Sequence, residues 1–396
     1  MPRRAMTRDG VTVAEAILPT TSSLLSDRGT AGLSLAALAR DLGVSIRPIR
    51  NRYTDTGALL VHAWQSRLWP SLAERLAALA VARGAADLMQ LSDLLRQSLR
   101  RDPDSDAAAE LMLHARFDAH LQQAVDQTLG KLITDLTTPA TEQNAANAFV
   151  IAPALGLMIG ARHERAENLD LDSALPDWLT AATNPVPGQP LPAADASHMD
   201  DYPVLAPGDP ALDILLNTAL ELISTRGFDQ VTVSQIAREA GYTEGLAFRR
   251  YPSKLDMLRD ATKRQNDAGL ELNHAFTTQL QTTHGTAIAE SVIIREAQRP
   301  GRELGRSMAL EQIRLGWHHR DLAQAQKASL DEFRAALLTT PGWDAYESET
   351  DFFLQFALSW GMYLLPFLSP DAHRLPYDSV LVPLYDIFET RHGSTS

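Results

Sequence analysis

The chain has 396 residues, 45% of them hydrophobic, which is enough for two domains that each bury a core. It has no cysteine, which excludes disulfides and thiolate metal sites and suits a reducing cytoplasm. The first ten residues, MPRRAMTRDG, lack the apolar run of a signal peptide, and no stretch approaches the length of a membrane span. We therefore expect a soluble, cytoplasmic protein with no membrane segment.

The net charge of -13 is unevenly distributed along the chain. Residues 1–60 carry a net charge of +3 and residues 211–264 carry +1, so the remainder carries -17. This pattern fits acidic bodies that present two less acidic segments to an anion.

Those two segments are copies of each other. Residues 17–60 align with residues 215–258 at a constant offset of 198, without a gap and with twelve identical positions. A repeat of this length indicates duplicated domains rather than a solenoid. The identities include Gly29 with Gly227, Gly43 with Gly241, and Tyr53 with Tyr251.

Each copy predicts a first helix followed by a short second helix. In the first copy, the first helix should end near Arg28, before a left-handed Gly29, and Pro19 should mark its start or a kink. Ser34 and its counterpart Thr232 are predicted N-caps of the second helix.

Gly43 and Gly241 then predict a tight turn with a positive φ. Directly afterwards, Ser45 and Thr243 are predicted caps of a third helix. A helix, a glycine turn and another helix in this order indicate a helix-turn-helix.

Both copies resemble the N-terminal DNA-binding region of the tetracycline repressor (TetR) family. The second copy, RGFDQVTVSQIAREAGYTEGLAFRRYPSKLDML, is the more typical. The resemblance implies an all-α protein with two TetR-like halves, each with a three-helix DNA-binding head and a helical body for ligand binding and dimerisation. Family members usually act as homodimers on palindromic operators. Two copies in one chain therefore imply an intrachain pseudo-dimer, and a homodimer of tandem chains stays open.

We expect five segments along the chain. They are a first helix-turn-helix domain (1–60), a first helical body (61–183), a Pro-rich linker (184–209), a second helix-turn-helix domain (210–264) and a second helical body (265–396). Residues 183–210 hold seven of the 22 prolines, which indicates an extended, partly stiff connection. The apolar segments 147–159 and 352–368 are the candidate contact between the halves.

The resemblance implies that the third helix of each head enters the major groove while flanking groups hold phosphates. The second head departs from the family where Glu244 replaces a basic residue and Phe248 replaces a tyrosine, and the first head lacks the family Pro-Ser-Lys. The candidate DNA-binding residues are Ser34, Ser45, Ile46, Arg47, Arg50, Asn51 and Arg52 in the first head, and Thr232, Thr243, Glu244, Gly245, Phe248, Arg249, Arg250, Tyr251 and Lys254 in the second.

Five residues are candidates to line a pocket for the small-molecule effector, although packing in the hydrophobic core explains them equally well. They are Trp317, His318, Trp360, Met362 and Tyr363. We expect no metal site and no cofactor.

The sequence favours a ligand-responsive repressor that reads an asymmetric, pseudo-palindromic operator in double-stranded DNA with two unlike heads. The alternative is a ligand-sensing or protein-binding scaffold in which one or both heads no longer bind DNA. An enzyme is not expected, because no phosphate loop, nucleophile elbow or dinucleotide fingerprint is present.

Overall fold

The computed structural model describes residues 12–193, 208–339 and 348–393. These residues form helices joined by turns and contain no β-strand. The all-α class expected from the sequence is confirmed.

The first half, up to residue 183, has two pairs of helices that π-helical turns join into single long helices, at Trp64–Leu68 and Asp126–Gly130. Its helices are α1 (Val13–Arg28), α2 (Leu35–Asp41), α3 (Arg47–Arg50), α4 (Thr56–Ala63), α5 (Trp69–Gly84), α6 (Leu88–Ser98), α7 (Pro103–His114), α8 (Ala119–Val125), α9 (Lys131–Thr137), α10 (Glu142–Gly160) and α11 (Leu171–Thr183).

The second half repeats this order of short and long helices. When each π-joined pair is counted as one helix, both halves have nine helices in the described residues. The second set is α12 (Pro210–Arg226), α13 (Val233–Glu239), α14 (Glu244–Arg250), α15 (Lys254–His284), α16 (Thr286–Gln298), α17 (Glu303–Gly316), α18 (Arg320–Leu337), α19 (Glu349–Leu368) and α20 (Asp378–Gly393).

Local signals place the helix ends as predicted. Helix α1 ends at Arg28, and Gly29 follows with a φ of 64°. The Ser34 hydroxyl accepts from the Ala37 amide at 3.0 Å and caps α2. Thr232 caps α13 and shares a capping box with a glutamine three residues later.

Pro19 does not start α1, as one of the two predicted alternatives required, but lies inside the helix. The helix begins at Val13, and Thr12 caps it by accepting from the Glu15 amide. Val13 and Ile17 are buried in the core. Their burial and the cap hold the first turn in place, and so the helix extends past the proline that lacks an amide donor.

The described part of the linker packs on the second half. The Val186 amide donates to the Ser379 carbonyl at 2.9 Å, and the Gln189 amide donates to the Asp378 carboxylate at 2.6 Å. Arg295 donates to the Pro192 carbonyl at 2.8 Å. Residues 194–207 of the predicted linker lie outside the described residues.

Helices α10 and α19, which contain the two apolar segments singled out in the sequence, pack against each other. A Cβ on Gly156 would lie 1.7 Å from the Ala357 carbonyl oxygen, and one on Gly361 would lie 1.9 Å from the Ala152 carbonyl oxygen. Each helix thus places an alanine against the glycine of the other, four residues apart. Such reciprocal contacts are what a two-fold axis between like elements produces.

The same two helices are long and apolar enough to cross a membrane by length and composition. However, 89% of the most apolar window of α10 and 67% of that of α19 are buried inside the protein. This burial accounts for their apolar character, because core helices pass the same test.

Replacing Gly156 by alanine should lower the free energy of unfolding by about 1–3 kcal/mol, because the added methyl group meets the backbone of α19. Denaturant or thermal unfolding measures the change. Gly84→Ala is the matched control, since a Cβ there has nothing within 4 Å. Equal stability of the two variants would contradict the close crossing.

Candidate nucleic-acid interface

The second head is a helix-turn-helix built from α12, α13 and α14. Gly241, with a φ of 76°, makes the turn between α13 and α14, and the two helices pack together. Ala247 is buried and faces the core. The opposite side of α14 is exposed, including Phe248 at 46% exposure. This exposed side leaves the side chains of α14 accessible for contact.

Several predicted contact residues of the second head project from this surface. Thr243 stands at the N-cap of α14 without a side-chain cap bond, which contradicts its predicted capping role. Arg249 donates to the Gly245 carbonyl at 3.2 Å, and Arg250 pairs with Asp209 at 2.6 Å. The exposed residues of this surface are Thr243, Glu244, Gly245, Phe248, Arg249 and Arg250.

Lys254 and Tyr251 instead hold the second head together. The Lys254 ammonium donates to the carbonyls of Phe228 and Val231, and it lies 3.9 Å from the centroid of the Phe228 ring. Burial lowers its pKa. The buried Tyr251 hydroxyl donates to the Asp260 carboxylate at 2.5 Å. Through these internal contacts, both residues stabilise the second head and support α14 from inside.

The first head presents more positive charge on a shorter helix. Helix α3 spans only Arg47–Arg50, and Ile46, not Ser45, occupies its N-cap, so the predicted cap at Ser45 is wrong. Ile49 is fully buried and anchors α3, and Ile46 packs against the same core. The exposed residues are Ser45, Arg47, Arg50, Asn51 and Arg52. The hydroxyls of Ser34 and Thr232 each cap the second helix of their own head.

Two glutamates tie the heads to the bodies, and sequence reasoning missed them. Glu110 on α7 accepts from the Thr30 amide at 2.8 Å, and Glu311 on α17 accepts from the Phe228 amide at 2.9 Å. Thr30 and Phe228 are equivalent at the repeat offset of 198, whereas the glutamates are 201 residues apart. Because the glutamates lie outside the repeated segment and at a different offset, the sequence alignment did not pair Glu110 with Glu311.

The five candidate effector residues contact several different neighbours. Trp317 and His318 lie against the first half, where Arg162 is 5.2 Å from the Trp317 ring centroid and His318 Nε2 is 3.4 Å from Glu110. Trp360 packs on His163 beside α10. Met362 contacts Gln298, and Tyr363 lies near Glu290.

The two bodies differ in their interiors. In the first body, the facing residues of α5 and α6 are leucines, such as Leu72, Leu76 and Leu91. In the second body, α16 buries Glu290, whose carboxylate accepts from Gln355 Nε2 at 2.9 Å. Burial raises the pKa of Glu290 to about 8. The second body therefore holds an acid that is largely protonated at neutral pH.

The exposed helix of a glycine-turned pair, with arginines on it and a helical body beneath, is the arrangement of a helix-turn-helix DNA-binding domain. Residues 215–261 match the sequence profile of the family described as bacterial regulatory proteins, tetR family. The match covers α12 to α14 and the start of α15, and it supports a TetR-family regulator with DNA as a partner. No curated protein matches the chain.

Lys254→Met should lower the unfolding temperature and leave the salt dependence of DNA binding unchanged, because the ammonium holds two carbonyls. Operator binding across a salt series and thermal unfolding test this. Lys263→Met, at an exposed position paired with Asp267, is the control. If Lys254 held a phosphate instead, the salt slope would fall by about one with stability unchanged.

Glu290→Gln should raise stability at pH 8–9 more than at pH 5. Because the folded-state pKa is raised from 4.5 to about 8, the neutral acid favours folding, and this contribution is lost as pH rises between those values. Glutamine keeps the neutral shape at every pH. Parallel unfolding curves of variant and wild type across this window would contradict the buried acid.

Proposed function

We propose that the chain is a cytoplasmic transcriptional regulator in which two unlike heads of one molecule bind an asymmetric, pseudo-palindromic operator. The observation that carries this proposal is the reciprocal pairing of Gly156 with Ala357 and of Gly361 with Ala152. A regulator that dimerises through like helices would form such contacts between two chains. Here both partners belong to one chain, so the halves stand in for the two subunits.

The two exposed helices support different half-sites. The first head offers Arg47 and Arg50, which suit guanine or phosphate, and the second offers Glu244 and Phe248 beside Arg249. Glutamate can accept from a cytosine amino group, and an aromatic ring can contact a thymine methyl group. Because these groups differ at equivalent places, a perfect palindrome would satisfy only one head.

Regulation would follow from a population shift. A small molecule that prefers a body conformation with misplaced heads would weaken operator binding by its differential affinity for the two states. The polar interior around Glu290 favours the second body as the place where such an effector binds. Repression relieved by the effector is the form of regulation that the family resemblance supports.

The runner-up is a sensor or scaffold in which the first head has lost DNA binding. The observation that favours it is the single turn of α3, against seven residues in α14. The scaffold would bind DNA weakly or through the second head alone.

Arg50→Ala and Arg249→Ala should each weaken binding at a different half-site, by about 1–3 kcal/mol where the guanidinium reads a base. Competition between operators mutated in one half-site or the other measures the effect. Arg83→Ala, at the far end of α5 where Arg83 bonds Gln143, is the control. Equal damage at both half-sites would contradict two unlike heads, and no effect of Arg50→Ala would favour the scaffold.

A further inference from the structure

Two buried arginines, Arg116 and Arg314, lie at the junction between the heads and the bodies, and neither has an arginine counterpart in the other half at the offset that relates the two glutamates. Glu110 and Glu311 are fully buried, and each holds the first residue after the glycine that ends the first helix of its own head. At the offset that relates the two glutamates, the partner of Arg314 is Leu113. The two glutamates are therefore matched between the halves, whereas Arg314 is not.

Arg314 links the two halves through these acids. Its side chain is 2% exposed, and it bonds Glu110 of the first half at 2.9 Å. It also bonds Glu311 at 2.8 Å and Asp229 at 3.0 Å in the second half. Asp229 lies in the turn after α12, so one guanidinium joins acids that hold both heads.

Neighbouring contacts leave little room for the heads to move independently. A Cβ on Gly29 would lie 2.8 Å from His318 Nε2, and one on Gly227 would lie 2.9 Å from Phe117. Both contacts cross between the halves. Arg116 of the first half adds a bond to the Ser307 carbonyl of the second at 2.8 Å.

Glu110 and Arg314 are both charged although both are buried. Burial alone would raise the pKa of Glu110, but His318, Arg314 and the Thr30 amide outweigh it and bring the pKa to about 2. Without Arg314, Glu110 would keep, among the described residues, only His318 as a partner that can carry positive charge, and Glu311 would keep only Arg116 at 3.8 Å, which is strongly unfavourable for two buried carboxylates. Buried ion pairs of this kind add little net stability over apolar packing, but they can specify one arrangement.

We propose that Arg314 holds the two heads at one separation and one angle, and thereby fixes the operator spacer length that the chain accepts. Arg314 is a positioning residue, since it contacts the heads from behind, at Thr30 and Asp229 directly and elsewhere through Glu110 and Glu311. The spacer part of this inference rests on the proposed two-headed DNA binding, whereas the fixed separation does not. One added base pair rotates and shifts a half-site along the duplex, so rigid heads should discriminate sharply against it.

The first test measures the distance between heads without DNA. The chain has no cysteine, so Ala36→Cys on α2 and Glu239→Cys at the end of α13 give two spin labels at exposed positions. Pulsed electron paramagnetic resonance should give a narrow distribution of distances between the two labels in the otherwise wild-type chain. The triple variant Glu110→Gln, Arg314→Met and Glu311→Gln removes the charges with similar volumes, and it should broaden the distribution at least twofold. An equally narrow distribution would overturn the inference.

Arg306→Met is the matched control, because Arg306 lies on the same helix, is 4% exposed, and bonds the Ala297 and Arg299 carbonyls of its own half. It should keep the narrow distribution. A broadened distribution in Arg306→Met would mean that any loosening of α17 has this effect, and it would overturn the inference. If the triple variant fails to fold, Arg314→Lys replaces it, since one ammonium cannot reproduce the three-sided contact; an unbroadened distribution would again count against Arg314.

The second test uses operators whose spacer is changed by one base pair. The wild type and Arg306→Met should lose affinity sharply, and the triple variant should show a penalty about tenfold smaller. A broadened distance with an unchanged spacer penalty would overturn the role of Arg314 in operator choice. Failure of the wild type to bind any two-part operator would instead overturn the proposed function, while the distance measurement would still decide the fixed separation.

Discussion

The close approach of α10 and α19 constrains the rest of the molecule. Each helix places the carbonyl of an alanine where the other helix could not accept a side chain, at Gly156 and at Gly361. Interiors packed at this density do not slide continuously, so the crossing fixes one orientation of the two halves. Buried acids on α7 and α17 bond the backbone that follows α1 and α12, which under the proposed function would couple the heads to this crossing.

The heads share a scaffold and differ in chemistry. Tyr53 bonds His62 at 2.7 Å, and Tyr251 bonds Asp260 at equivalent positions of the second head. The exposed residues of α3 and α14 differ at equivalent positions, since Arg47 aligns with Gly245 and Arg50 aligns with Phe248. The acidic net charge is unevenly distributed, because residues 1–60 carry +3 and residues 211–264 carry +1 while the remainder carries -17.

Most local features of the fold could be predicted from the sequence, and most non-local ones could not; the contact between α10 and α19 is a non-local feature that the sequence predicts, and the cap at Ser45 is a local one for which the prediction is wrong. The C-terminal end of α1, the caps at Ser34 and Thr232 and the glycine turns depend on a few neighbouring residues, so the sequence indicates them directly. The start of α1 before Pro19 and the internal role of Lys254 depend on packing from elsewhere. The contacts of Trp317 with Arg162 and of Trp360 with His163 also depend on distant parts of the chain, which an aromatic pattern in the sequence does not reveal.

Selection of the purified chain against a random duplex pool, read at two salt concentrations, tests the central claim most directly. Enrichment of one motif with two unlike half-sites, weakening steeply with salt, is the result that a two-headed regulator predicts. A perfect palindrome would indicate two chains that use one kind of head. Absence of any enriched motif would contradict DNA reading by either head.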